Sequence, residues 1–149
     1  MIIQVQEQDF NLCEVIANMR SERTDIGAIA SFIGLVRDLP ESGLLSMTLE
    51  HYPGMTEKSL TNIAEQALVR WNLHDIAIIH RVGELKPADQ IVLVAVASSH
   101  RRESFSACEF IMDYLKTSAP FWKKEKTENG ENWVQAKQSD DEAKERWKL

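Results

Sequence analysis

Apolar positions along this chain recur at two periods, and the switches between them mark out its elements. Ile2 to Val5 is a short apolar run that predicts a strand. From Asn11 to Arg20 the spacing becomes helical, with Leu12, Val15, Ile16 and Met19 on one face. Gly27 to Arg37 is rich in aliphatic and β-branched residues and predicts a second strand. Asp38 to Gly43 is a polar loop punctuated by Pro40 and Gly43. Leu45, Met47 and Leu49 then alternate with Ser46, Thr48 and Glu50, the period of a half-buried strand.

After the turn at Tyr52, Pro53 and Gly54, Thr56 stands where it would cap a helix. Leu60, Ile63, Ala64, Ala67, Leu68 and Trp71 share that helix's inner face. Ile76 to Val82 predicts a strand, and Gly83 to Asp89 a turn around Pro87. Ile91 to Ala97 is almost unbroken apolar sequence, as in a central strand covered on both faces. Helical spacing returns from Glu103 to Lys116, with Phe105, Cys108, Met112 and Leu115 on a stripe and Pro120 beyond the stop. Trp122–Lys126 and Trp133–Lys137 flank Asn129-Gly130, a hairpin signal, and Ser139 to Glu142 form a capping box opening a last short helix. This order is neither a βαβ repeat nor all-β. It predicts a single α+β domain over residues 1–149, with a mainly antiparallel sheet and a C-terminal β-hairpin.

Composition adds limits. With 149 residues, 44% hydrophobic and 27% charged, the chain fits one ordinary globular domain. Its net charge of -6 argues against binding nucleic acid through the phosphate backbone, and no aromatic–basic stacking pattern revives that reading. No signal peptide and no membrane-spanning run is evident. Cys13 and Cys108 are far apart and fit no CxxC or zinc spacing, which points to the reducing cytoplasm. The four histidines lack metal-ligand spacing, so neither a metal nor a resident cofactor is expected.

The chemistry concentrates in Asp113 to Lys124, where Lys116 and Lys123 flank the proline stop among apolar neighbours. Lysines so placed can act as acids, bases or amine nucleophiles. The helix dipole at Lys116 favours its charged form, so a helix-end cap is the structural alternative. His100 and Arg101 follow the central strand and open a helix, a place suited to a phosphate or carboxylate; a surface basic cluster balanced by Glu103 and Glu109 also fits. Arg37, at the end of its strand, has the fork to hold a phosphate. His51 has the chemistry to contact substrate or shuttle protons, with a structural hydrogen bond as the alternative. His80 and Arg81 sit within a strand, so one of them faces an interior or an interface.

Taken in order, Phe32–Arg37, Leu49–Glu57, His80–Leu85, Ser99–Arg101, Phe110–Thr117, Ala119–Lys123 and Trp133-Val134 form a specific set. With them the chain resembles the large, catalytic subunit of molybdopterin synthase over essentially its whole length. The resemblance implies an α/β-hammerhead-type fold with an added β subdomain and a homodimer of large subunits. It implies a ubiquitin-like small subunit carrying a C-terminal glycine thiocarboxylate. The reaction implied is sequential transfer of two sulfurs to cyclic pyranopterin monophosphate, giving the molybdopterin dithiolene. Carried over by motif, Lys116 and Lys123 match the catalytic lysines. Arg37, His100 and Arg101 match the pocket for the substrate's phosphate and pterin.

Two departures stand out. Ala88 occupies a position where the family usually has glycine, and Lys137 stands where relatives can carry an arginine that reaches into the neighbouring subunit's pocket. Lysine keeps the charge there but loses the bidentate fork. Phe121, Trp122 and Trp133 fit either a partner interface or a core beneath the hairpin. The competing reading of the whole is a non-catalytic module that docks the small subunit and binds an anion.

Overall fold

A computed structural model describes residues 1–41, 43–135 and 138–148. In chain order the elements are β1 (Ile2–Gln6), α1 (Leu12–Arg20), β2 (Ala28–Leu35), β3 (Leu44–His51), α2 (Met55–Arg70) and β4 (Leu73–Arg81). They continue with β5 (Gly83–Leu85), β6 (Gln90–Ser98), α3 (Arg101–Ser118), β7 (Phe121–Thr127), β8 (Gly130–Val134) and α4 (Gln138–Glu145).

The apolar run of β6 explains the first sheet. Every residue from Val92 to Ser98 is buried, because β6 is an inner strand in the order β1-β4-β6-β2. Strand parity divides its side chains between two cores. Val92, Val94 and Val96 pack with Ile76 and Ile78 under α2 and α3, while Leu93, Ala95 and Ala97 pack with Ile79 over α1. β1 joins β4 in parallel; the other neighbours are antiparallel.

The second sheet has the order β5-β3-β7-β8 and is antiparallel throughout. Its smaller core holds Leu44, Met47, Leu49, Val82 and Leu85. The expected hairpin is therefore no appendage, since β7 pairs with β3 along most of its length. The chain passes from β4 into β5 through Val82 alone, whose N–H donates to the Gln6 carbonyl at 2.9 Å. Gly83 makes the bend with φ +88° and leaves room for the Glu7 side chain, 3.3 Å from where a Cβ would stand.

The α+β class with mainly antiparallel sheets is as expected, and several details are not. Leu45 faces solvent, 49% exposed, because the β3–β7 register shifts between Leu44 and Ser46 and breaks the alternation. Gly83–Leu85, expected as part of a turn, is a strand. Gly54, not Thr56, is the N-cap of α2, and the Glu57 carboxylate closes the end by accepting the Gly54 N–H. Phe105 is 65% exposed; the inner stripe of α3 runs through Ser104, Ala107, Cys108, Ile111 and Leu115. The hairpin turns on Glu128 and Asn129, with Gly130 already paired to Thr127 at φ +116°. α4 begins at Gln138, so Ser139 lies inside the helix. Ala88 has φ +77°, the conformation glycine favours, in a Pro87-Ala88 turn closed by Asp89 N–H to the Lys86 carbonyl at 3.0 Å.

Candidate active site

Lys116 stands exposed in the last turn of α3, and Lys123 stands half-buried on β7 opposite Leu49 and Val134. Ala119 and Pro120 separate the two elements, with Phe121 N–H donating back to the Ala119 carbonyl at 3.0 Å. This corner is fastened to the second sheet by Thr56. Its Oγ1 accepts the Tyr52 N–H and donates to the Pro120 carbonyl, both at 2.9 Å. One buried hydroxyl thus ties the β3–α2 turn to the turn between the lysines.

Beneath the corner lies His80, 4% exposed. Its ring stacks on Phe121 with centroids 3.8 Å apart and planes 18° from parallel. Its Nδ1 is 2.8 Å from the Arg81 carbonyl. A carbonyl only accepts, so Nδ1 carries the proton and Nε2 is left with a lone pair. Burial drives the imidazole pKa down to about 4; the Arg81 hydrogen bond opposes this, and the charges of Lys123, Lys116 and His51 add to the lowering. The ring is therefore neutral near pH 7. The positive charges of both lysines, from separate elements, thus disfavour the charged form of this ring.

His51 pairs with Phe121 across β3 and β7, and its Nε2 lies 3.5 Å from Glu57 Oε1. Glu57 thus serves both the helix start and the histidine. Among the described residues no group of three or more His, Cys, Asp or Glu side chains converges as metal ligands would. Both cysteines are free thiols. Cys108 is buried, with its pKa pushed up to about 11 by that burial and by Glu109, which leaves it a poor nucleophile. Cys13 is exposed on α1, which packs against the opposite face of the first sheet from α3.

The anion candidates divide. Arg37 follows β2 at the end where Leu35 pairs with Gln90, the end of the sheet that also holds His80 beside Val92. His100 caps α3 and Arg101 begins it, both exposed, at the opposite end where Ala28 pairs with Ser98. At 1.5 Å per residue, Arg101 and Lys116 are about 22 Å apart along α3. A single chain does not bring His100 and Arg101 to the lysines. Lys137 lies outside the described residues. Trp122 and Trp133 are 50% and 55% exposed and do not fill a core, whereas Phe121 packs inward.

His80 is the component that motif reading placed least well. Parity with Ile76 and Ile78 puts it on the face of β4 under α2 and α3. That signal is in the sequence; the stacking partner, forty-one residues away, is not. Two open clefts, of about 480 and 510 Å³, lie elsewhere: one at Asn62, Val69 and Tyr114, the other at Gln4, Asn11 and Asn18. Neither is lined by Lys116 or Lys123.

Fold and candidate site together define a two-sheet α+β fold with a lysine on either side of the turn from α3 to β7. The family model described as "MoaE protein" matches residues 5–118, and the chain belongs to that family. A Ralstonia nicotianae protein named "Molybdopterin synthase catalytic subunit" is 62% identical over 146 residues, covering 97% of this chain and 83% of that protein. The solved structure of the molybdopterin biosynthesis MoaE protein from Burkholderia ambifaria MC40-6 superposes with a TM-score of 0.86 at 54% identity, covering 99% of this chain and 98% of that one. The crystal structure of molybdopterin synthase from Staphylococcus aureus superposes at 0.83 with 28% identity, over 89% of this chain and 96% of that one. The family match ends before β7, so it includes Lys116 but not Lys123.

Proposed function

We infer that this chain is the catalytic subunit of a molybdopterin synthase, a sulfurtransferase acting with a ubiquitin-like small subunit. The small subunit's C-terminal thiocarboxylate supplies sulfur, one atom per transfer, to cyclic pyranopterin monophosphate, and two transfers make the dithiolene. The observation that carries this reading is the placement of Lys116 in the last turn of α3 and Lys123 on β7, on either side of the turn that leads into the Phe121–His80 stack. Two amines at one corner suit proton transfer during sulfur attack and stabilisation of the negative charge that develops. Lys116, exposed at the helix end, is the one to meet the incoming glycine tail. Neither thiol of this chain belongs to the site, in keeping with sulfur brought by the partner. The free thiols suit a reducing cytoplasm. Trp122 and Trp133 are apolar anchors for the small subunit on the open face of the second sheet.

Arg37, His100 and Arg101 hold the substrate's phosphate and pterin only if a second copy completes the pocket. β2 is an edge strand, with Phe32 and Leu35 42% and 54% exposed. Two such edges paired antiparallel would bring the His100 end of one copy beside the Arg37 end of the other. Lys137 is the further cation assigned to that shared pocket.

The test combines purified chain, thiocarboxylated small subunit and cyclic pyranopterin monophosphate, and quantifies dithiolene. Product should require this chain and fall sharply in Lys116→Ala. Small-subunit binding without any product would favour a non-catalytic docking module instead.

A further inference from the structure

We propose that His80 is a positioning residue for this sulfur transfer: a buried platform that fixes Phe121, and through it the Lys123 amine relative to Lys116. The inference rests on the function proposed above and concerns the same site. Three observations carry it. First, the ring is itself fixed, 4% exposed and anchored through Nδ1 to the Arg81 carbonyl, just before the chain bends out of β4 into the second sheet. Second, the ring is stacked on Phe121 at 3.8 Å. Phe121 and Lys123 are two residues apart on one strand and project from the same face, so orienting the first orients the second. Third, the turn leading into Phe121 is held independently by Thr56 on the Pro120 carbonyl. With the backbone pinned at Pro120 and the side chain at Phe121, β7 enters the site with little freedom left.

A histidine suits this place better than an aliphatic side chain. It offers a flat face for the stack and a donor for the Arg81 carbonyl at the strand end. Among the charged and titratable groups around it are Lys123 from β7, Lys116 from α3 and His51 from β3. An imidazole that stays neutral there adds no further positive charge to that of the two lysines, consistent with its lowered pKa.

The test compares variants that keep or remove the flat ring, in the reconstituted sulfur-transfer assay with the full chain and its small subunit. His80→Gln keeps polarity and approximate volume but has no ring to stack. Misplacing a catalytic group by about 1 Å costs on the order of 100-fold, so kcat should fall roughly 10–100-fold. KM for the pterin and small-subunit affinity should stay within about 2-fold, because His80 is buried and acts only through Phe121. His80→Phe restores the flat face and should recover most of kcat. Phe121→Leu removes the ring from the other side; its loss should resemble that of His80→Gln and the two should not add in the double variant. If His80→Gln proves too unstable to assay, Phe121→Leu and His80→Phe still decide the matter. Unchanged kcat in the ring-less variants overturns the inference, as does fully additive loss or failure of His80→Phe to recover activity. Lys116→Ala runs alongside as a control: if it abolishes turnover while the ring-less variants do not, only the role of His80 falls. If the unmodified chain gives no product, the proposed function falls and this inference with it.

Discussion

The two sheets have the same number of strands and very different surroundings. The first is covered on both faces, by α1 on one side and by α2 and α3 on the other, and its inner strand has no exposed residue from Val92 to Ser98. The second closes one face over a small core and leaves β8 exposed from end to end. Burial of apolar area sets stability, at about 25 cal/mol per Å², so the first sheet holds the fold together. Open surface with aromatic anchors is where another chain can bind, and the second sheet offers it through Trp122 and Trp133. Lys123 stands at the junction, on β7 of the second sheet two residues from Phe121, which stacks on His80 of the first; Lys116 ends α3 just before the turn into β7. Rigidity and access are thus drawn from different sheets.

The sharpest way to break this division is at the junction. Lys116→Ala and Lys123→Ala should each lower dithiolene formation by roughly 100-fold or more, the range for losing a general acid or base. The urea midpoint should move by no more than about 0.5 kcal/mol equivalent in the exposed Lys116 case. A large loss of stability without a specific loss of turnover would make these lysines structural.

The converse belongs to the first sheet. Ile78 is fully buried against α2 and α3. Ile78→Ala should cost about 2–5 kcal/mol by urea unfolding, while turnover per folded molecule stays near normal. Val134→Ala on the exposed strand β8 should cost well under about 1 kcal/mol. Equal costs at the two sites would erase the distinction between the sheets.

Acid provides a third probe, between the two. The unfolded His80 imidazole takes up a proton near pH 6.5, whereas the folded one does so only near about 4. The unfolded state therefore binds more protons between these values, and stability falls as pH drops through that window. The full contribution is about 3 kcal/mol. His80→Phe should flatten the dependence, read from urea midpoints across the window. An unchanged slope would mean that other groups carry the acid sensitivity.

What could be read from the sequence divides in a similar way. The first sheet was legible because its elements repeat one signal over many residues. Ile91 to Ala97 and the stripe from Leu60 to Trp71 need no partner to be recognised. The second sheet was read less well. Leu45 departs from the expected alternation because a register shift leaves no mark in local sequence, and β5 is not evident there because three residues beside a Pro87 turn carry too little pattern. At the site, the lysine pair came from local context and a family resemblance. The Thr56–Pro120 tie and the His80–Phe121 stack link residues far apart in sequence, and no periodicity encodes them. The separation of His100 and Arg101 from Lys116 follows from the length of α3, which no single motif carries.

The smallest expected effect lies where the chain returns from the second sheet to the first. Ala88 holds φ +77° while its N–H donates to the Val36 carbonyl at 2.8 Å, which fastens the β5–β6 turn to the segment after β2. A left-handed conformation costs a residue with a Cβ roughly 1–2 kcal/mol. Glycine removes that strain but gives back about 0.5–1 kcal/mol in unfolded-chain entropy. Ala88→Gly should therefore stabilise the protein by about 0.5–1 kcal/mol, seen as a higher urea midpoint at unchanged slope, with turnover unaltered. The same experiment tests whether residues 1–149 unfold as one unit. Trp71 reports on the core under the first sheet, and Trp122 and Trp133 on the second. If the chain is one cooperative domain, variants that keep only one of these reporters should show the same midpoint and the same shift. A shift confined to one reporter would mean that the sheets unfold separately, and that the difference between them extends from surroundings to stability itself.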